Sequence, residues 1–121
     1  MSGIARFSLV ALDTADPVLL ARFYAAVTGW EIEPYDEPDW IRLRSGGGAT
    51  IAFQLAPGHV PPQWPGDEHP QQVHLDFDVE DLDRGEHDVV AIGARKAETQ
   101  PGQSFRVFLD PAGHPFCLVR A

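Results

Sequence analysis

The hydrophobic and polar positions of this chain repeat in the same order twice. Segments 9–16 and 74–81 align without a gap, and each is an extended stretch ending in an acidic residue that opens a helical pattern. Apolar residues then recur at helical spacing until Gly29 in the first copy and Gly93 in the second. The pattern predicts helices over 17–28 and 82–92.

Three short segments of strand character follow each predicted helix. They are Trp30–Glu33, Trp40–Arg44 and Thr50–Leu55 in the first copy, and Ala94–Glu98, Phe105–Leu109 and Pro115–Arg120 in the second. Turn residues separate them at 45–48 and at 110–113. The sequence therefore predicts an α+β fold built from two tandem βαβββ modules.

A proline-rich segment lies between the two copies. Residues 56–72 contain five prolines with Trp64 in their middle, which is too many for either a helix or a strand ladder. We interpret 56–72 as a linker within a single domain over 1–121, between module 1 (1–55) and module 2 (73–121). Trp64 either buries against the fold as an anchor or forms the rim of a ligand pocket.

Composition narrows the class of protein. The chain has 121 residues, 44% hydrophobic, which is the size and composition of one domain with its own core. The single cysteine, Cys117, excludes a disulfide within the chain. No apolar stretch approaches a membrane span, and the first ten residues hold no signal-peptide hydrophobic block, so we expect a cytoplasmic location and no membrane partner.

The charge of the chain argues against nucleic acid as a partner. The chain has eighteen acidic and nine basic residues, for a formal net charge of −9. The negative electrostatic field of such a protein repels a phosphate backbone. The acidity is concentrated over 67–88. Such a run is typical of a solvated face, and its alternative interpretation is attraction of a cationic small molecule.

Three motifs carry a resemblance to a known superfamily. They are the helix opening with Asp16, Pro17, Phe23, Tyr24, Gly29 and Trp30, the segment 73–76, and the closing segment 110–116. Together with the duplicated βαβββ unit, they resemble the vicinal oxygen chelate (VOC) superfamily, which contains glyoxalase I, extradiol dioxygenases, fosfomycin-modifying enzymes and bleomycin resistance proteins. The chain is most similar to small glyoxalase-like domain proteins. The resemblance implies a mixed sheet curled around a cavity, completed in a homodimer.

The resemblance also implies where a metal would bind. In metal-dependent members the ligands lie on the first and last strand of each module, which here gives Leu9, Gln54, His74 and Cys117. Leu9 cannot coordinate, Gln54 offers only a neutral amide, and Cys117 must first lose a proton, so only His74 is an ordinary ligand. We expect no metal and no other cofactor. A divalent metal held by His74, Gln54 and Cys117 is the alternative.

Strand alternation groups the polar residues of the first strand of module 2. His74, Asp76 and Asp78 share one face, while Leu75, Phe77 and Val79 share the core face. Carboxylates two and four residues after His74 lie about 7 and 13 Å along a strand, which disfavours their convergence on one ion. The predicted ligand-binding residues are Leu9, Trp40, Gln54, Trp64, His74, Asp76, Phe108 and Cys117.

Two classes of function stay open. We favour a protein that binds a small organic molecule in its cavity without a metal, because only His74 among the four implied metal-ligand positions is an ordinary ligand. The alternative is a metal-dependent or histidine-based lyase, isomerase or dioxygenase, with His74 as the candidate catalytic residue. The carboxylates of Asp76 and Asp78 favour a ligand that bears a hydrogen-bond donor or a positive charge. The predicted aromatic contacts Trp40, Trp64 and Phe108 favour a planar or amphipathic one.

Overall fold

The computed structural model describes residues 3–121, so residues 1 and 2 of the predicted first module lie outside the described residues. The chain divides into two compact units, one ending at His59 and the other beginning at Val60. None of the helices within residues 3–121 is long and apolar enough to cross a membrane.

The first unit is a βαβββ module. It comprises β1 (Leu9–Thr14), α1 (Pro17–Thr28), β2 (Glu31–Ile32), β3 (Trp40–Arg44) and β4 (Thr50–Leu55). The strands form one sheet in the order β1-β4-β3-β2. β1 runs parallel to β4, and β3 runs antiparallel to both of its neighbours.

The second unit repeats this topology. It comprises β5 (Leu75–Val79), α2 (Leu82–Ala91), β6 (Arg95–Lys96), β7 (Phe105–Leu109) and β8 (Pro115–Arg120), in the order β5-β8-β7-β6. The predicted α+β class and duplicated βαβββ module are therefore confirmed. The strands form two open four-stranded sheets, each with its own hydrogen-bonded ladder.

The strand register is the same in both modules. Ala11 of β1 lies opposite Ala52 of β4, and Asp76 of β5 lies opposite Cys117 of β8. Both pairs are separated by 41 residues, since 52 − 11 and 117 − 76 give the same difference. The repeat therefore allows each position of one sheet to be matched to a position of the other.

Both helices begin at an aspartate cap. Asp16 accepts a hydrogen bond from the backbone N–H of Leu19 at 3.1 Å, and Pro17 occupies the first helical turn, where its missing N–H costs nothing. Asp81 accepts from the backbone N–H groups of Asp83 and Arg84. The predicted helix starts are thereby confirmed, and α2 ends one residue earlier than predicted.

Each sheet packs one face against its own helix. Tyr24 of α1 is fully buried and stacks on Phe53 of β4 with ring centroids 5.7 Å apart. In the second unit, the face that meets α2 carries Phe116 and Leu118, and a Cβ added at Gly85 of the helix would lie 3.0 Å from Leu118. The opposite face of each sheet is left for other contacts.

Residues 56–72 form no helix or strand, and Pro61 of this segment packs on the closing turn of the second unit. Asp110 is buried, and its Oδ1 accepts hydrogen bonds from the backbone N–H groups of Ala112 and His114 at 2.9 and 3.0 Å. A Cβ at Gly113 would overlap Pro61 of the linker, so the close approach requires glycine there. The motif 110–114 thus has a structural role in holding the linker.

Candidate functional site

The polar residues of module 2 meet on the sheet face opposite α2. Asp76 and Cys117 are cross-strand partners, so their side chains leave the sheet on the same side. His74 lies just before β5, and its Nε2 is 3.4 Å from Oδ1 of Asp76. One ligand atom from each of the three residues lies within 4.8 Å of the others.

This cluster corrects one expectation. Spacing along the strand predicted that His74 and Asp76 would be too far apart to converge, but their side chains bend toward each other across that spacing. The third member comes from the neighbouring strand, where the parallel register sets Cys117 beside Asp76. Asp78 is exposed on the same face and lies level with Val119 rather than with Cys117.

Cys117 forms the buried side of the cluster. Its residue exposure is 9%, and it packs with Ala97 and Val107. Burial, followed by the charge of Asp76 and a hydrogen bond to that carboxylate, raises the pKa of the Cys117 thiol to about 11. The thiol is therefore protonated at neutral pH and acts as a donor toward Asp76, not as a nucleophile.

His74 and Asp76 form the accessible side of the cluster. Their side chains are 45% and 56% exposed. Trp64 packs against the buried group formed by Ala97, Val107 and Cys117, so the tryptophan of the linker borders the apolar side of the cluster. The second sheet thus combines an acidic acceptor, an imidazole and an aromatic surface within one unit.

The matching positions of module 1 carry no polar side chain. The repeat matches His74, Asp76 and Cys117 to Leu9, Ala11 and Ala52. The resemblance implies Gln54 as the last-strand equivalent of Cys117, but the register matches Gln54 to Val119, so this prediction is wrong by two residues. The error arose because the parallel register, which fixes the equivalence, is not visible in the sequence.

Gln54 and Trp40 nevertheless lie side by side in the first sheet. Gln54 pairs with Asp13 on one side and with Trp40 on the other, so the three residues form a row across β1, β4 and β3. Gln54 is exposed, and Trp40 is 40% exposed. Leu9, by contrast, is half-buried and lies level with Thr50.

Phe108 does not belong to a ligand surface. Its side chain is fully buried and stacks on Phe116 with centroids 5.7 Å apart, on the sheet face that meets α2. Cys117 alternates with Phe116 along β8 and therefore points to the other face. The expectation that Phe108 contacts a ligand is wrong, because the Phe108 side chain lies on the face of the sheet that packs against α2.

The four-ligand metal set implied by the resemblance does not fit this chain. Its module 1 half would come from Leu9 and from the partner of Cys117 in the repeat, Ala52, and neither side chain has a donor atom. Module 2 alone offers three possible metal ligands of different type. The thiol of Cys117 would have to be deprotonated to coordinate a metal, and burial raises its pKa.

Comparisons with known proteins agree with this fold. The sequence pattern of the glyoxalase-like domain family matches residues 9–119. A glyoxalase/bleomycin resistance protein/dioxygenase family enzyme from Burkholderia phytofirmans PsJN has a similar structure, with a TM-score of 0.72 and 23% identity, covering 96% of this chain and 98% of that one. A glyoxalase-related enzyme from Fulvimarina pelagi gives a TM-score of 0.69 at 19% identity, covering 98% and 89%. Among curated proteins, none matches this chain.

These similarities identify the superfamily and the family of the chain. The duplicated βαβββ module is shared with these solved structures. The match to the glyoxalase-like family places the chain in the VOC superfamily. Within it, the chain belongs to the glyoxalase-like domain family, whose pattern spans nearly all of its length.

Proposed function

We propose that this protein binds a small organic molecule on the open face of the second sheet, without a complete metal-ligand set. The observation that carries the proposal is the asymmetry between the modules. His74, Asp76 and Cys117 cluster in module 2, whereas their counterparts in module 1 are Leu9, Ala11 and Ala52. The hydrogen-bonding groups of this cluster therefore all come from module 2.

The chemistry of the cluster favours a ligand that donates hydrogen bonds or carries positive charge. Asp76 is an exposed acceptor, and Asp78 adds a second carboxylate to the same face. Trp64, which packs against the buried group of Ala97, Val107 and Cys117, supports stacking of a planar ring. We therefore propose a planar or amphipathic amine or amide as the ligand class, bound by Asp76 as acceptor and by His74 as a second polar contact.

A thermal-shift screen tests this proposal. Aromatic amines and natural-product antibiotics are compared with carboxylates and phosphorylated metabolites, each in the presence and absence of a chelator. Amine or amide compounds should raise the melting temperature equally with and without chelator. Stabilisation by anionic compounds that appears only when Mn²⁺, Ni²⁺, Zn²⁺ or Fe²⁺ is supplied would contradict it.

A metal-dependent lyase, isomerase or dioxygenase is the second candidate, and the cluster itself favours it. His74, Asp76 and Cys117 would be the residues that hold the ion. A bound divalent ion supplies a Lewis acid that polarises a substrate oxygen. Metal analysis of protein purified without a histidine tag separates the candidates: one equivalent of a transition metal, lost in the His74→Ala variant, would favour the enzyme.

We also propose a homodimer. β1 and β2 are the edge strands of the first sheet, and β5 and β6 are those of the second. Edge strands and open sheet faces are surfaces that proteins commonly cover by association. Before β1, Ile4 and Phe7 add large exposed apolar side chains.

A further inference from the structure

Three arginines gather in a cleft of module 1 that the proposed ligand site does not use. Arg6 precedes β1, and Arg42 and Arg44 alternate along β3, so their side chains share one face. These three line a cleft of about 880 Å³ together with the turn 45–48. They are three of only nine basic residues in a chain with a net charge of −9.

The local charge of this cleft is opposite to that of the chain. Glu33 is the acidic residue among its lining side chains, and its Oε2 lies 3.3 Å from Nε of Arg42. Arg44 is held by Glu31 through Nη1 at 3.4 Å. Each guanidinium has five N–H donors, so a single carboxylate contact orients it and leaves further donors for a ligand.

The turn beside the arginines leaves room for a ligand. Gly46 and Gly48 adopt positive φ angles of 81° and 67°, which glycine tolerates without strain. A Cβ added at Gly46, Gly47 or Gly48 would meet no heavy atom within 4 Å, so open space borders the turn. The hydroxyl of Ser45 donates to the backbone oxygen of Gly47 at 2.9 Å and stabilises this shape.

We propose that this cleft binds an oxyanion, either a phosphoryl or a carboxylate group of a small molecule. Planar guanidinium groups match the geometry of both groups, and forked N–H donors bind them with two parallel hydrogen bonds. Phe7, exposed and lining the same cleft, offers an apolar contact for the rest of such a molecule. This site differs in residues and in ligand charge from the His74 cluster, and it stands without it.

Titration of inorganic phosphate and, separately, of succinate at constant ionic strength tests the proposal. Binding is followed by the NMR signals of the arginine side chains. Saturable binding of either anion to the wild type is expected, and the tighter of the two identifies the preferred oxyanion. Arg6→Gln, at an exposed position before β1, should weaken that binding about tenfold or more.

Matched variants separate a built site from general charge attraction. Arg22→Gln makes the same change of charge on the exposed face of α1 and should leave affinity unchanged. Glu33→Gln removes the acidic lining residue and should tighten binding, a gain that damage to the fold cannot produce, whereas Glu37→Gln should not. Absence of saturation with both anions, or equal losses in Arg6→Gln and Arg22→Gln, would overturn the proposal.

Discussion

The raised pKa of Cys117 gives the sharpest test of how the polar cluster is built. The thiol has an ordinary pKa of 9.0, and burial together with Asp76 raises it to about 11. Thiolate should therefore make up about 1% of Cys117 at pH 9, against about half for an unperturbed thiol. Because the chain has one cysteine, selective ¹³C labelling of its Cβ gives one resonance whose shift follows this titration.

Asp76→Asn should lower this pKa without restoring the ordinary value. The substitution removes the negative charge and the accepting carboxylate, but it leaves burial, which is the largest cause of the shift. Asp78→Asn is the matched control, since it removes an equal charge from the same strand face at a position level with Val119. An equal shift in both variants, or a wild-type pKa near 9, would refute the proposed contact between Asp76 and Cys117.

The same shift predicts how stability depends on pH. The folded-state pKa lies above the unfolded one, so the stabilising contribution is complete below pH 9 and is lost as the pH rises toward about 11. Two pH units correspond to about 2–3 kcal/mol in the free energy of unfolding. Urea unfolding of wild type and Cys117→Ala across this range should show the extra loss in the wild type alone.

Three further predictions address the fold, the site and the assembly. Phe116→Ala should lower the free energy of unfolding by about 3–5 kcal/mol in urea titrations, because it empties a fully buried position that stacks on Phe108. His74→Ala should reduce ligand affinity yet leave the melting temperature within a few degrees, since the side chain is half exposed; a large drop would assign it a structural role. Sedimentation at micromolar concentration should give the mass of two chains, and a monomer would contradict the proposed dimer.

Much of the fold could be predicted because local signals agree with the global topology. Asp16 and Asp81 cap helices whose starts are visible as an acidic residue before an apolar period. β3, β4, β7 and β8 lie at their predicted bounds, since each is a run bordered by turn residues. β2 and β6 are only two residues long, shorter than predicted, although one further backbone hydrogen bond follows each of them, from Glu33 to Arg42 and from Ala97 to Val107.

The site was harder to predict because it depends on register between distant strands. Alternation groups His74 with Asp76, and the structure holds their side chains 3.4 Å apart. Alternation could not show that Cys117 lies opposite Asp76, that Gln54 matches Val119, or that Phe108 shares a face with Phe116. The alternating arginines of β3 form no motif in the sequence, and only the fold brings Arg6 into the same cleft.

One NMR titration shows whether a small organic molecule binds at the His74 cluster without metal. The compound that raises the melting temperature most is added to ¹⁵N-labelled protein in the presence of chelator. We expect saturable shifts that are largest at the backbone amides of His74, Asp76 and Cys117 and at the indole of Trp64. Shifts confined to other residues, or binding that chelator abolishes and a divalent metal restores, would contradict it.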